Sequence, residues 1–258
     1  GKWGRNFVEY GVVAARAALA DAEVDWRDIQ FVAGGETVRN GYPGYVAGAT
    51  FAQALGWQGA PVVSAYAACA SGATALNAAR AQILAGLCDV ALVVGADTTP
   101  KGFLAPNAGE RGDDPDWLRF RLLGATNPTY FGLYARRRME QYGATPDHFA
   151  KVKVKNARHG LNNPYARFRK EVTIEDVNAS PMVSDPLRLL EICATSDGAA
   201  ALVMMRESTA AKLGCKPLAR IVSHATHAQE PEWFATAPVG ATQKALAKAG
   251  WKVEDVDL

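Results

Sequence analysis

The sequence predicts an α/β fold in which a parallel sheet is covered by helices on both faces. Short apolar runs alternate with longer helical segments in the opening part of the chain, which is the pattern of βαβ units. A stretch near the end of the chain repeats the opening helix and turn. We therefore predict two related βαβ halves, of which the second is cut short.

The opening part alternates helix and strand. Residues 7–22 are rich in Ala, which is a strong helix former. Residues 29–33 form a short apolar run that ends in Gly34-Gly35, as is typical of a buried strand. The same pattern continues with helices over residues 46–55 and 70–85 and strands over residues 61–65 and 89–96.

An insertion interrupts this alternation. Residues 98–128 carry four prolines and four glycines, which predict a long loop. Helices are expected over residues 130–142 and 146–159, before Asn162-Asn163-Pro164 breaks the chain. Strand patterns return at residues 198–205 and 219–223.

The repeat lies in residues 14–31 and 241–258. Aligned without gaps, the two stretches share Ala, Ala-Leu-Ala, Ala and Asp at matched positions. Each leads from a small-residue helix through a polar turn, and the second copy ends where its strand should begin. The predicted organisation is a first half at residues 1–102, an inserted region at 103–176, a return to the first half at 177–237 and the start of the second half at 238–258.

Charge and hydropathy exclude several classes of function. The net charge of +2 is too small to indicate a nucleic-acid partner, and no apolar run reaches the length of about 18 residues that a membrane span needs. The four cysteines contain no CxxC pair, so we expect reduced thiols in a cytoplasmic protein. Apart from a weak His224/His227 pair, the histidines lack metal-ligand spacing, so no metal site is predicted and all four are interpreted as surface or structural residues.

Cys69 is the candidate nucleophile. It lies between the predicted strand at residues 61–65 and the helix at residues 70–85, whose side chains are mostly small. A thiol at a helix N-terminus meets free N–H groups and the positive end of the helix dipole, which favour the thiolate. A free Cys is more often a packing residue, so the pattern alone leaves both roles open. Cys193, which precedes an apolar strand, is interpreted as packing.

Several segments together resemble thiolases of the sterol-carrier or lipid-transfer type. Cys69 opens CASGATAL, which is similar to the family's nucleophile segment. Other similar segments are FG at residues 131–132, RMEQYG at 138–143, HFAK at 148–151, NNPY at 162–165, PL at 186–187 and ICATSDGAAA at 192–201. The resemblance runs from about the first helix to the last residue. It implies a fold of duplicated βαβαβ halves in five layers (αβαβα), usually dimeric, that acts on coenzyme A thioesters.

The resemblance also implies acyl transfer through Cys69. The thiolate would attack the keto group of a long-chain or sterol-like β-ketoacyl-CoA, release acetyl-CoA and leave an acyl-enzyme that free coenzyme A collects. Coenzyme A is then substrate and product, and no tightly bound cofactor is implied. The family's His and Cys acid–base motifs belong to the second half and are expected after Leu258. One departure is Ala67-Ala68, where relatives often carry polar residues.

Two alternatives stay open. Some relatives are retro-aldolases, lyases that remove steroid side chains as coenzyme A thioesters together with a small OB-fold partner protein, and they would use other acid–base groups such as tyrosines. The third interpretation is a non-catalytic carrier of lipid or acyl-CoA. A later His followed by Asp-Cys-Phe, with a further Cys in a Gly context, would indicate the thiolase.

The resemblance and the repeat give two expectations about the native molecule. We expect a longer polypeptide, with a further strand before Gly1 and a second sheet after Leu258. We also expect a homodimer that continues the sheet through the strand near residues 61–66.

Overall fold

The computed structural model describes residues 4–37, 42–99, 122, 124, 127–193 and 196–257 of the chain. Most of the predicted loop over residues 98–128 lies outside the described residues. The chain divides into two units, Gly1–Met205 and Arg206–Leu258.

Helices and strands alternate in the opening part of the first unit, as the sequence predicts. The elements are α1 (Phe7–Asp21), β1 (Phe31–Gly35), α2 (Tyr42–Tyr45), α3 (Ala47–Leu55), β2 (Val62–Ala65), α4 (Ser71–Leu84) and β3 (Val90–Asp97). Each predicted boundary agrees to within two residues, and only the short helix α2 was not expected.

Local sequence explains where α1 begins. The Asn6 side chain accepts a hydrogen bond from the Glu9 N–H at 3.0 Å, and the Glu9 carboxylate accepts one from the Asn6 N–H at 2.8 Å. This reciprocal capping box satisfies two N–H groups that would otherwise lack a partner at the helix start.

One sheet has the strand order β2-β1-β3-β6, where β6 is Gly198–Met205. The strands β2, β1 and β3 are parallel, whereas β6 runs antiparallel to β3 and pairs Gly198 with Asp97. The predicted parallel pairing is therefore confirmed for three strands, and β6 is the strand that departs from it. The chain leaves the sheet after Asp97 and re-enters it at the same end, so the new strand has to run in the opposite direction.

The sheet is covered on both faces, which gives the first unit three layers. Helix α4 packs on the face that carries Phe31 and Ala33, and α1 and α3 lie on the opposite face. The α1–α3 contact needs a glycine, because a Cβ on Gly11 would lie 2.3 Å from a ring carbon of Phe51. These three layers agree with the predicted α/β class.

Residues 127–188, which include part of the predicted inserted region and the beginning of the predicted return to the first half, form a helical group next to a hairpin. The elements are α5 (Asn127–Tyr142), α6 (Pro146–Gly160), α7 (Ile174–Ala179), β4 (Met182–Ser184) and β5 (Leu187–Arg188). The two predicted helices are thus confirmed. Helix α5 packs on the hairpin, and Arg136 Nε donates to the Asp185 carboxylate at 2.8 Å. This hydrogen bond raises the pKa of Arg136.

The second unit contains α8 (Glu207–Leu213), α9 (Ala237–Ala249) and short 3-10 turns at Pro231–Thr236 and Val253–Asp255. The strand predicted over residues 219–223 is wrong, since this segment has no regular structure and Ile221 and Val222 are exposed. Its apolar sequence favours a strand, but a strand forms only where another strand pairs with it. Among the described helices, none has the length and apolar character to cross a membrane.

Candidate active site

Cys69 lies in the turn between β2 and α4. Its side chain is exposed, and it precedes Ala70, the N-cap residue of α4. The sequence predicted Cys69 at the helix start, and the structure places it one position outside the cap. Because alanine has no side-chain acceptor, the N-cap makes no side-chain hydrogen bond to the first-turn amides of α4.

The turn contains a residue in an unusual backbone conformation. Ala68 has φ +46°, in the left-handed region that costs an L residue about 1 kcal/mol. Such a conformation persists only where its surroundings hold it in place. The residue next to the candidate nucleophile is therefore held by specific contacts rather than by its own preference.

Ser71 supplies two of those contacts from within the turn. Its hydroxyl donates to the Ala68 carbonyl at 2.7 Å and accepts from the Ala67 N–H at 3.0 Å, and its side chain is buried. The bonds to residues 67 and 68 use backbone atoms. The departure noted at Ala67-Ala68 therefore leaves this bonding intact.

Thr37 supplies a third contact from another element. It follows the end of β1, and its hydroxyl donates to the Ala68 carbonyl at 3.0 Å. Its backbone N–H donates to Asp97 Oδ1 at 2.8 Å, at the end of β3. The turn that carries Cys69 is thereby connected to the ends of two neighbouring strands.

A cleft of about 290 Å³ opens beside Cys69. It is lined by Gly35, Thr37, Cys69, Ser71, Gly72, Gly95, Ala96, Asp97, Gly198, Ala199 and Ala200. These residues come from the carboxyl ends of β1 and β3, the start of β6 and the start of α4. The order of the parallel strands reverses at this point, and such switch points are where open α/β sheets bind ligands.

The lining is almost free of large side chains. A Cβ on Gly35 would lie 3.0 Å from the Ser71 carbonyl oxygen, so glycine lets the end of β1 approach the start of α4. Because the other lining residues are also small, an extended ligand can run close to the backbone and reach the Cys69 sulfur.

Helix α4 is covered on one side only among the described residues. Its buried stripe consists of Ser71, Ala75, Ala79 and Ile83, while Gly72 to Thr74 are exposed. The small side chains of α4 predicted a crowded interior, and the described residues provide that environment on the sheet side.

The other cysteines differ from Cys69 in their surroundings. Cys88 is buried against the sheet and Cys215 is partly buried. Cys193 is exposed, so the packing role expected for it is wrong in this structure. The apolar strand that follows it is itself largely exposed along its first half. Exposure therefore does not separate Cys69 from Cys193.

The histidines lie outside the cleft lining. His148 and His159 are exposed on α6, and His148 Nδ1 accepts from the Thr145 N–H at 2.9 Å at the helix start. His224 and His227 are partly buried in the second unit. In the portion of the chain that is described, no three His, Cys, Asp or Glu residues are grouped as a metal site would require.

Sequence interpretation missed Thr37, Ser71 and Asp97 as parts of the site. A signal for two of them was present. Thr37 and Asp97 are polar residues at the carboxyl ends of predicted strands, and those ends meet at one edge of a parallel sheet. The hydroxyl of Ser71 carried no separate signal within the small-residue segment.

Two family models match the chain. One, described as "Thiolase, N-terminal domain", matches residues 5–208, and the other, "Thiolase, C-terminal domain", matches residues 215–258. Together they cover most of the sequence.

Curated relatives agree with these models. "Sterol carrier protein 2" from Bos taurus is 33% identical over 83% of this chain and 40% of the relative, and the Homo sapiens protein is 31% identical over 98% and 49%. "Benzoylsuccinyl-CoA thiolase subunit BbsB" from Thauera aromatica is 33% identical over 85% and 57%. The chain spans about half the length of the curated relatives it matches.

Solved structures share the fold. "Ltp2-ChsH2(DUF35) aldolase" superposes with a TM-score of 0.80 at 24% identity, over 98% of this chain and 67% of that one. The acetyl-CoA acetyltransferase of Bacillus anthracis gives a TM-score of 0.74 at 22% identity, over 99% and 73%. At these identities the likeness concerns the fold alone.

Proposed function

This chain belongs to the thiolase family, and on that basis we propose that it supplies the reactive thiol of an acyltransferase. The proposed reaction is cleavage of a long-chain or sterol-like β-ketoacyl-CoA, with Cys69 as the nucleophile that forms an acyl-enzyme.

The observation that carries this proposal is the position of Cys69. The thiol is exposed beside a cleft at the switch point of the sheet, in a turn that two hydroxyl groups hold in a left-handed conformation. A residue that served only packing would not need an exposed position in a constrained turn. Nucleophilic catalysis needs both accessibility and a fixed geometry.

The proposed chemistry proceeds in two transfers. The Cys69 thiolate forms a bond to the keto carbon of the substrate, and the bond between that carbon and the neighbouring α-carbon breaks. The electron pair stays on the α-carbon, which takes up a proton to give acetyl-CoA. The thiol of free coenzyme A then gives up its proton and attacks the acyl-enzyme, and the Cys69 sulfur leaves as a thiolate, so the proton taken up at the α-carbon is balanced.

The substrate class is supported by the relatives' names. Several relatives are sterol carrier proteins, and one is a thiolase for benzoylsuccinyl-CoA, so bulky acyl groups are represented among them. The small lining residues of the cleft suit a slender thioester near Cys69. The bulky part of the acyl group would extend away from this narrow region.

A lyase is the second candidate. The aldolase with the same fold is named as a complex with a DUF35 protein. In that case carbon–carbon cleavage would proceed without a free coenzyme A acceptor, and a partner protein of that type would be required. A non-catalytic acyl-CoA carrier is the third candidate, and the relatives named as sterol carriers favour it.

The homodimer stays a prediction. Strand β2 lies at the edge of the sheet, where a strand from a second copy can add to it. This position is compatible with the pairing expected near residues 61–66.

The test compares two cysteine variants in the full-length protein. We expect Cys69→Ser to lower the rate of coenzyme A-dependent β-ketoacyl-CoA cleavage by a factor on the order of 10³ or more, because a hydroxyl is far less ionised than a thiol at neutral pH. Cys193→Ser is the matched control, since Cys193 is also exposed but lies outside the cleft lining. The measurement is the release of acetyl-CoA.

The same assay separates the alternatives. Cleavage that persists in Cys69→Ser and needs no free coenzyme A would favour the lyase. Acyl-CoA binding without any cleavage by the unmodified protein would favour the carrier. Under the proposed function, iodoacetamide labels Cys69 faster than Cys193, and acyl-CoA protects Cys69 from labelling.

A further inference from the structure

Thr37 connects three parts of the candidate site. It directly follows Glu36 at the end of β1, donates its hydroxyl to the Ala68 carbonyl at 3.0 Å and donates its N–H to Asp97 Oδ1 at 2.8 Å. The residues joined in this way are distant in sequence and come from the ends of β1 and β3 and from the Cys69 turn. One small side chain therefore sets the distance between the turn and the carboxyl ends of β1 and β3.

The hydrogen bonds from Thr37 and Ser71 to Ala68 have different structural roles. The Ser71 hydroxyl bonds lie within the turn, so they stabilise its internal conformation. The Thr37 hydroxyl comes from a separate strand, so it fixes where the turn lies relative to the cleft. Because Ala68 has φ +46°, a conformation that an L residue disfavours, loss of either contact leaves the turn free to relax.

We propose that Thr37 is a positioning residue that holds Cys69 in line with the carboxyl ends of β1 and β3, and that Asp97 holds Thr37. This inference rests on the proposed function, in which the Cys69 sulfur attacks an acyl group in the cleft. A shift of about 1 Å in such a nucleophile is enough to slow a reaction considerably. Thr37 acts through the turn, and its own hydroxyl is already used by the Ala68 carbonyl.

The test removes the hydroxyl without changing the size of the side chain. In the full-length protein, we expect Thr37→Val to lower kcat about tenfold, the rate equivalent of one lost hydrogen bond, with KM changed by less than about twofold. Thr37→Ser keeps the donor, so it should retain kcat to within about threefold of the unmodified protein. Both variants keep the N–H that bonds to Asp97.

Thr50→Val is the matched control. The Thr50 hydroxyl also donates to a backbone carbonyl, that of Pro43, at 2.7 Å, and Thr50 lies on α3 outside the cleft lining. Its loss should lower the thermal midpoint about as much as Thr37→Val does while leaving kcat unchanged. A fall in kcat that is confined to Thr37→Val supports positioning rather than a general loss of stability.

Three results would overturn the inference. The first is an equal kcat for Thr37→Val and Thr50→Val, and the second is a Thr37→Ser variant as impaired as Thr37→Val. The third is a Thr37→Val effect that appears only in KM, which would make Thr37 a binding contact. Cys69→Ser is measured alongside. If Cys69→Ser is inactive while Thr37→Val is normal, only the positioning role fails, whereas an active Cys69→Ser overturns the proposed function itself.

Discussion

The two copies of the sequence repeat fold alike but are packed differently. Helix α1 is followed by a 3-10 turn at Trp26–Asp28, and α9 is followed by one at Val253–Asp255. When Ala14 is aligned with Ala241, the two turns fall on matched positions. The repeat in the sequence is thus a repeat in local structure.

The helix ends match in detail. The Val24 N–H donates to the Leu19 carbonyl at 3.0 Å, and at the matched positions the Trp251 N–H donates to the Leu246 carbonyl at 3.0 Å. Both helices end through a left-handed residue, Glu23 with φ +55° and its counterpart Gly250 with φ +71°. The same termination pattern, in which a late N–H bonds back to a carbonyl five residues earlier, therefore ends both copies.

The surroundings of the two helices differ. Helix α1 buries Phe7, Gly11, Ala15 and Leu19 in the first unit. Helix α9 has no buried residue among those described. The comparison teaches that short-range sequence is sufficient for a helix and its termination, whereas the burial of α1 comes from its packing on β3 and β6.

The largest difference in the free energy of unfolding is expected when the same substitution is made separately in each copy of the repeat. Leu19→Ala should lower the free energy of unfolding by about 2–5 kcal/mol, because Leu19 is 6% exposed and its loss leaves a cavity. The equivalent Leu246→Ala should cost about 1 kcal/mol or less in this 258-residue chain, because its side chain is only partly buried. Urea unfolding followed by circular dichroism measures both, and equal losses would contradict the difference in packing.

A smaller effect is expected at the left-handed residue. Glu23→Gly should stabilise the chain by about 0.5–1 kcal/mol, because glycine adopts positive φ without the steric cost that an L side chain meets. Gly250→Ala should destabilise it by about 1 kcal/mol for the same reason, since a Cβ at Gly250 meets no atom within 4 Å and only the backbone conformation is affected. Changes of the same sign in the two variants, measured as thermal midpoints, would mean that the two terminations are not equivalent.

The smallest expected change in stability concerns the 3-10 turn that follows α1. The Asp25 carboxylate accepts hydrogen bonds from Arg27 Nε at 3.0 Å and from the Arg27 N–H at 2.8 Å. The side-chain hydrogen bond from Arg27, followed by the backbone one, lowers the pKa of Asp25 from 3.8 to about 2. The second copy has Lys252 at this position, which cannot accept such bonds.

Because folding lowers the pKa of Asp25, the stability that this carboxylate contributes changes with pH in a defined direction. The stability that Asp25 contributes is present above its unfolded pKa of 3.8 and is lost as the pH falls towards about 2. We expect Asp25→Asn to remove a small part of the acid sensitivity of the thermal midpoint in this range, and Lys252→Asn to remove none. An identical pH dependence of Asp25→Asn and the unmodified chain would show that this cap contributes nothing measurable.

Much of the first unit could be predicted because its signals are local. Helices such as α1 and α4 follow from strong helix formers, and β3 from a short apolar run. The direction of β6 and the failure of residues 219–223 to form a strand could not be predicted. Both depend on which strand is available as a partner, and neither segment carries that information in its own residues.

The sequence by itself determined that Cys69 lies between a strand and a small-residue helix, because both flanking elements have clear local patterns. Only the tertiary structure decided that Thr37, Ala68 and Asp97 meet beside it. These residues come together because three strands lie in the order β2-β1-β3 with their carboxyl ends on one edge. That order results from the packing of the whole sheet against helices on both faces, which no short stretch of sequence specifies.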